Sequence, residues 1–240
     1  FFYKLNLCRL FLKSSIFLHK TLEKIADNVD QVIHYSKLAQ RYKIYKVPRS
    51  YQSILYLFKT LFLGSKKILN KFLGKSLRWN VCYQFTEDWK NPFIKNSIII
   101  KNPKNRFLAD PFVINYNNRS VIFVEDYDFN FNKGKISAYE VTSKEYKELG
   151  VALEEKFHLS YPFLFESKEN LFMVPETHES KDIRLYKCIE FPLKWELHKI
   201  LMKNVNAVDT NIFKYNNKYW IFTNLDTSSL GDYSSELHIF

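Results

Sequence analysis

Hydrophobic and polar positions change their spacing once along this chain, close to Arg78. Before that point, apolar residues recur at helical spacing, which predicts helices over 1–35 and 51–75. After it, apolar and polar residues alternate with the period of two that is typical of β-strands. We therefore expect a helical segment over 1–77 and a mainly β region over 78–240.

The β region contains three copies of one pattern. Their first strands align on Asp110, Tyr161 and Asp209, which are 51 and 48 residues apart. Each copy continues through a short Asn- or Lys-rich turn to an aromatic second strand and then to a third strand. A repeat of about 50 residues built from short strands is typical of a β-propeller blade. The predicted strands are 109–114, 121–126 and 135–141 in the first copy, 160–165, 172–177 and 182–187 in the second, and 208–213, 219–224 and 236–240 in the third.

Two shorter strands are predicted before these copies, at 79–85 and 98–101, and the first of them is a candidate for closing the ring. Tight turns are predicted at Asn117-Asn118, Lys133-Gly134 and Asn216-Asn217, because Asn and Gly tolerate the left-handed backbone that hairpins need. The third copy stops before an outer strand, so we interpret the chain as a piece of a longer protein.

The excess positive charge lies only in the N-terminal third. Residues 1–80 contain 16 Lys and Arg against three Asp and Glu, while the remaining 160 residues contain 20 against 22. The near-neutral β region argues against nucleic acid as its ligand. The basic amphipathic helix over 51–75 has two interpretations, since it could pack on the propeller or a neighbouring domain, or contact an anionic membrane surface. No apolar run reaches the roughly 20 residues of a spanning helix, but a truncated signal or anchor at 1–18 stays open.

The three cysteines, Cys8, Cys82 and Cys188, are far apart and lack metal-ligand spacing. They are typical of buried thiols in a reducing compartment and predict neither a disulfide nor a zinc site. We therefore expect a cytoplasmic location, with membrane association through the second helix as an addition, and no metal or other cofactor.

Polar residues at equivalent positions of successive blades are expected to meet at one mouth of the propeller channel. Asp110 and Asp209 take the same position in two copies, and Ser160-Tyr161 replaces the acid in the copy between them. Carboxylates beside an aromatic ring suit a hydroxyl-rich ligand, although the same acids could cap turns or bind backbone amides between blades. A second polar ring stands 15 residues after each alignment point and consists of Glu125-Asp126, Glu176 and Asn224.

The motif Ala109-Asp110-Pro111 resembles the one that opens the five-bladed propeller glycosidases, namely the arabinanase/xylosidase family and its invertase-type relatives. This resemblance implies that Asp110 activates water or attacks the sugar and that Asp209 steadies the transition state. It also implies that the acid belongs to a fourth blade, beyond Phe240.

A second set of motifs extends over residues 78–240. It includes Phe107-Leu-Ala-Asp-Pro-Phe112, Phe123-Val-Glu-Asp-Tyr127, Leu159-Ser-Tyr-Pro-Phe-Leu-Phe165, Asn206-Ala-Val-Asp-Thr210 and Gly231-Asp-Tyr-Ser-Ser-Glu-Leu-His238. With these motifs the region resembles the propeller domain that precedes the glycosyltransferase in plant glucosamine inositolphosphorylceramide transferases; bacterial proteins fuse a similar propeller to a formyltransferase-like domain. The resemblance implies a partial five-bladed propeller, with residues 1–77 as a basic linker or the tail of such a formyltransferase-like domain.

Three functions are open. The favoured one is recognition or processing of a glycan or glycolipid within a glycosyltransferase-type protein, because the middle copy lacks an acid and no general acid is identifiable. The alternatives are a glycoside hydrolase, with Asp110 as base and Asp209 as stabiliser, and a scaffold propeller that binds protein. The resemblance assigns transfer chemistry to another domain, so this chain alone is expected to be inactive. The predicted ligand-binding residues are Glu125, Asp126, Tyr161, Glu176 and Asn224.

Overall fold

The computed structural model describes residues 48–72, 78–88, 90, 94–226 and 236–240, together with a few isolated positions between 7 and 26. The chain forms two compact units, Phe1–Leu73 and Gly74–Phe240. The predicted helix over 1–35 falls almost entirely outside the described residues.

In the first unit, helix α1 spans Ser50–Phe72, close to the predicted 51–75. The Gln52 Oε1 atom accepts a hydrogen bond from the Arg49 backbone N–H at 2.8 Å, which satisfies one of the donors left free at a helix start. Within the described part of the chain, no helix is long and apolar enough to cross a membrane.

The second unit is built from antiparallel strands, so the prediction of a mainly β region after a helical segment is confirmed. Strands β1 and β2 form a pair, β3 to β6 form the first sheet, β7 to β10 the second sheet, and β11 to β13 the third sheet. The strands are β1 (Val81–Tyr83), β2 (Ile98–Ile100), β3 (Arg106–Tyr116), β4 (Arg119–Asp128), β5 (Lys133–Val141), β6 (Tyr146–Leu153), β7 (Ser160–Ser167), β8 (Asn170–Glu176), β9 (Asp182–Glu190), β10 (Lys194–Lys203), β11 (Ala207–Tyr215), β12 (Lys218–Leu225) and β13 (Leu237–Ile239).

Tight turns connect the first two strands of each sheet. Asn117-Asn118 has φ values of 51° and 59°, and Asn216-Asn217 has 50° and 61°, so both predicted turns are confirmed. Two consecutive left-handed residues form the hairpin turn whose twist matches that of the strands. In the second sheet Lys168-Glu169 has the same geometry, at 48° and 62°. The prediction of a turn at Lys133-Gly134 is wrong, because both residues lie in β5 and the left-handed residue is Asn132.

The sheets are joined face to face by three apolar cores. Alternating side chains place one set of strand residues on each face, so a sheet between two others contributes to both cores. Leu108 and Val124 pack towards the β1–β2 pair, whereas Phe123 packs with Met173 of the second sheet. A third core joins the second and third sheets through Val174, Ile183, Ala207 and Ile212.

The same alternation explains the cysteines. Cys82 lies on the outer side of β1 and is exposed, so the prediction of a buried thiol is wrong at this position. Cys188 is half-buried, and burial raises the pKa of its thiol to about 11. Cys8 lies outside the described residues.

The first strand of each sheet has the same irregularity at the aligned position. The pairing of β3, β7 and β11 with their neighbours shifts register at this point, as in a β-bulge. Each shift contains two residues, and the first of the two is left-handed in all three copies: Asp110, Tyr161 and Asp209 have φ values of 46°, 45° and 53°. The alignment of the copies is therefore confirmed in their backbone geometry.

Candidate ligand-binding site

The bulges direct backbone donors at carboxyl groups of the preceding copy. The Tyr161 N–H donates to Asp110 Oδ2 at 3.3 Å, and the Asp209 N–H donates to Glu176 Oε2 at 3.4 Å. Consecutive copies are thus joined by a hydrogen bond from the bulge of one to an acid of the other. Asp110 and Glu176 thus bind backbone amides between copies, which is the structural role that the sequence analysis gave as the alternative to ligand binding.

Four carboxyl groups lie close enough to interact electrostatically, and we call them the carboxyl cluster: Asp110, Glu125, Glu176 and Asp209. Burial, followed by the charges of Asp110 and Glu176, raises the pKa of Glu125 to about 8. Burial also raises the pKa of Asp110 and of Asp209, and repulsion from Glu176 adds to both increases. Glu125 therefore keeps its proton at neutral pH in the absence of a ligand.

Two histidines border the carboxyl cluster. The His158 Nδ1 atom accepts a hydrogen bond from the Gly134 N–H at 2.9 Å, which leaves Nε2 as the protonated nitrogen of the neutral ring. This Nε2 lies 3.4 Å from Glu125 Oε1, and burial lowers the pKa of His158. The His178 Nδ1 atom lies 2.9 Å from Glu176 Oε1, a contact that raises the pKa of His178.

The repeat pattern does not predict these histidines, because His158 and His178 stand at different positions in the repeat. His158 lies three residues before Tyr161, and His178 lies two residues after Glu176. Closeness in sequence to two predicted site residues is the signal that could have found them.

Gly134 provides the space in which His158 approaches Glu125. A Cβ atom at Gly134 would lie 2.5 Å from the Leu159 carbonyl oxygen, 2.8 Å from His158 Cε1 and 3.1 Å from Glu125 Oε1. Glycine is therefore required here for close packing of the loop before β7 against β5.

The Tyr161 side chain connects the first and third copies. Its ring meets Phe112 edge-on, with ring centroids 4.8 Å apart. Its hydroxyl donates to Asn211 Oδ1 at 3.3 Å and accepts from Asn211 Nδ2 at 3.2 Å. The Asn224 side chain hydrogen-bonds to Asp209 and thereby lowers the pKa of that carboxyl. The predicted binding residues Tyr161 and Asn224 therefore both adjoin the carboxyl cluster.

Asp126 is a predicted binding residue whose charge adds to the increase in the pKa of Glu125, but its side chain lies on the other face of β4 from the carboxyl cluster. Consecutive residues of a strand point to opposite faces, so Asp126 faces away from Glu125 and into the core beside the β1–β2 pair. It is fully buried, and its Oδ2 accepts from Arg106 Nη1 at 2.6 Å and from Ser137 Oγ at 2.8 Å. Its contacts are those of a structural ion pair.

Among the described residues, no group of three or more His, Cys, Asp or Glu side chains has the arrangement of a metal site. Ionised carboxylates of the cluster can accept hydrogen bonds, whereas the carboxyl of Glu125, when protonated, can also donate one.

A family model described as "Glucosamine inositolphosphorylceramide transferase 1, N-terminal" matches residues 78–240. The chain belongs to this family. The sequence resemblance to the glucosamine inositolphosphorylceramide transferase family is thus confirmed over the whole β region, and the matched segment contains every residue of the carboxyl cluster.

Individual members of the glucosamine inositolphosphorylceramide transferase family also match. Glucosamine inositolphosphorylceramide transferase 1 of Oryza sativa subsp. japonica is 32% identical over 140 residues, which are 58% of this chain and 18% of the relative. The protein of the same name from Arabidopsis thaliana is 36% identical over 121 residues, which are 50% of this chain and 16% of the relative. The chain thus corresponds to less than a fifth of the length of these relatives. No solved structure shows a significant match.

Proposed function

We propose that residues 78–240 belong to a five-bladed β-propeller that binds the sugar part of a glycan or glycolipid within a glycosyltransferase-type protein. Family membership supports the carbohydrate context, since the relatives are named for glucosamine and for inositolphosphorylceramide, a glycolipid. Their length leaves room for a separate transferase domain, so the expected role of the propeller is recognition.

The propeller part of the proposal is supported by the sheets. Radial repetition of four-stranded meanders, packed face to face, is how propellers are built. Here two complete meanders and a third sheet follow this order, and their first strands share one bulge. On the third sheet, Phe213, Tyr215 and Trp220 are exposed and suit packing against a further blade.

The observation on which the ligand proposal rests is the carboxyl cluster at the bulges. Ionised carboxylates accept hydrogen bonds from sugar hydroxyls, and the half-buried ring of Tyr161 offers a stacking surface beside them. Repulsion among the acids, which already raises the pKa of Glu125, disfavours a phosphate and favours a neutral or ammonium-bearing sugar. The sugar of a glycolipid, and not its phosphate, is therefore the part expected to contact the cluster.

The test uses the full-length protein and saturation-transfer NMR with three probes: D-glucosamine, methyl α-D-glucoside and myo-inositol 1-phosphate. We expect the first two to bind and the phosphate to bind more weakly. Asp110→Asn and Asp209→Asn keep an oxygen acceptor but remove the charge, so each should weaken binding roughly 10- to 100-fold. Asp128→Asn is the matched control, because this acid accepts a hydrogen bond from the Asn130 N–H in a turn. Unchanged binding with a lowered melting temperature would show that the two aspartates are structural.

A glycoside hydrolase is a second candidate, and one observation favours it. Hydrolysis needs a protonated carboxyl beside an ionised one, with separations of about 5–9.5 Å. Glu125, with its raised pKa, has the protonation state of the acid, a role that the glycosidase resemblance placed in a fourth blade. In the same NMR samples, release of methanol and free glucose from the methyl glucoside would establish hydrolysis, whereas an unchanged probe supports recognition.

A further inference from the structure

Helix α1 has an apolar stripe and a basic side. At about 100° per residue, five residues fall within one stripe along the helix: Ile54, Leu57, Phe58, Leu61 and Ile68. The other side contains lysines: Lys59, Lys66 and Lys67. The whole helix, Ser50–Phe72, contains no Asp or Glu.

The apolar stripe is open to solvent. Ile54, Leu57, Phe58, Leu61 and Ile68 are between 54% and 66% exposed, as expected for side chains that extend from an uncovered helix surface. Contiguous apolar patches of this kind mark a surface that meets a partner or a membrane. The three lysines are exposed as well, so both sides of the helix are accessible together.

Length and charge decide how such a helix meets a lipid bilayer. Its 23 residues extend about 34 Å at 1.5 Å per residue, which is comparable with the hydrocarbon thickness of about 30 Å. Lys59 stands near the middle, however, and the described residues contain no helix apolar enough to span. An amphipathic helix with lysines on its polar side lies in the plane of the membrane surface.

We propose that helix α1 docks on an anionic membrane surface, with the apolar stripe at the level of the acyl boundary and the lysines on acidic headgroups. The positive charge of the helix favours an anionic membrane over a second copy of the same helix. The helix sequence contains four lysines, Lys59, Lys66, Lys67 and Lys71, and no acid, so a packed pair of identical helices would be repelled, whereas an anionic lipid surface attracts all four. This inference does not depend on the glycan proposal, because it concerns a different unit of the chain.

The test is cosedimentation of the 240-residue chain with vesicles of phosphatidylcholine alone or with about 30% phosphatidylserine. We expect binding to the anionic vesicles at about 50 mM NaCl, and binding at least tenfold weaker at about 500 mM, because salt screens surface charges. Replacing Lys59, Lys66 and Lys67 together by Gln should weaken binding about 100-fold. No binding to anionic vesicles at low salt would overturn the proposal.

A matched pair of variants separates the contribution of the apolar stripe to membrane binding from that of net charge. Leu57→Asp/Leu61→Asp and Ser53→Asp/Thr60→Asp each add two negative charges, the first pair inside the apolar stripe and the second outside it. We expect the first variant to bind at least tenfold more weakly than the second, since only it prevents insertion. Circular dichroism checks that both keep the helix. Equal loss in the two variants would refute docking through the stripe. Docking on lipid would also be refuted if the wild-type chain did not bind vesicles but self-associated in sedimentation velocity, and the stripe variant abolished this self-association.

Discussion

Glu125→Gln removes a buried carboxyl with almost no change in side-chain size, and its effect on stability should depend on pH. The pKa of Glu125 is about 8 in the folded chain, against an ordinary value of 4.5. Well below pH 4.5 the Glu125 carboxyl is protonated in both the folded and the unfolded state, so burying it does not lower the free energy of unfolding. Between pH 4.5 and 8 the folded state binds more protons than the unfolded state, and the free energy of unfolding falls as pH rises.

The difference between 8 and 4.5, at about 1.4 kcal/mol per pH unit, sets an upper limit of about 5 kcal/mol for this loss. Because this loss and the pKa shift express the same free energy, we expect about 3–5 kcal/mol. Glutamine is neutral at every pH and avoids the penalty. The variant should therefore be more stable than the wild-type chain above pH 8 and about equally stable near pH 4.

Urea unfolding followed by tryptophan fluorescence measures this difference, since Trp195 is buried in the core between the first two sheets. The control is Glu166→Gln, which changes an exposed carboxyl of β7 in the same way and should leave the pH dependence unaltered. If Glu125→Gln shifted stability equally at about pH 4 and pH 8.5, Glu125 would not be held protonated by its surroundings, and the account of the carboxyl cluster would fail.

Two further predictions concern packing. Gly134→Ala should lower the free energy of unfolding by roughly 1–3 kcal/mol, because the added Cβ would lie 2.5 Å from a backbone oxygen. Gly64→Ala in α1, where nothing lies within 4 Å of the added Cβ, should instead raise helix stability by up to about 1 kcal/mol. Circular dichroism during urea unfolding detects both changes, and an unchanged stability of Gly134→Ala would contradict the packing described. Arg106→Met leaves Asp126 fully buried without its cation and should cost about 3–5 kcal/mol, and adding Asp126→Leu should recover most of that loss. A double variant no more stable than the single one, in the same unfolding assay, would show that the unpaired charge is not the cause.

Local chemistry explains which parts of the fold could be predicted from the sequence. The hairpins at Asn117-Asn118 and Asn216-Asn217 depend on two residues that tolerate a left-handed backbone, so the sequence predicts them directly. Lys168-Glu169 forms the same turn without Asn, because the flanking strands impose the geometry. The prediction of a turn at Gly134 is wrong because a glycine needed for space cannot be distinguished in sequence from one needed for backbone flexibility.

The candidate site was partly predictable for a different reason. Repeat alignment places Asp110, Tyr161 and Asp209 at one backbone position, and the structure shows the shared bulge there. Strand alternation alone could have separated Asp126 from Glu125. The histidines depend on contacts between copies that do not repeat, so neither periodicity nor composition could predict that His158 would lie against Glu125.

The three left-handed bulge residues have a consequence for protein engineering. Glycine adopts this backbone freely, whereas Asp or Tyr there is disfavoured by roughly 1–2 kcal/mol per residue. A redesign guided by stability alone would therefore choose glycine at Asp110, Tyr161 and Asp209, and it would delete two of the four acids and the aromatic ring in a single round. At these three positions a substitution that raises thermostability removes the side chains of the candidate site. Stabilising substitutions should therefore be sought in the sheet cores and the outer strands instead.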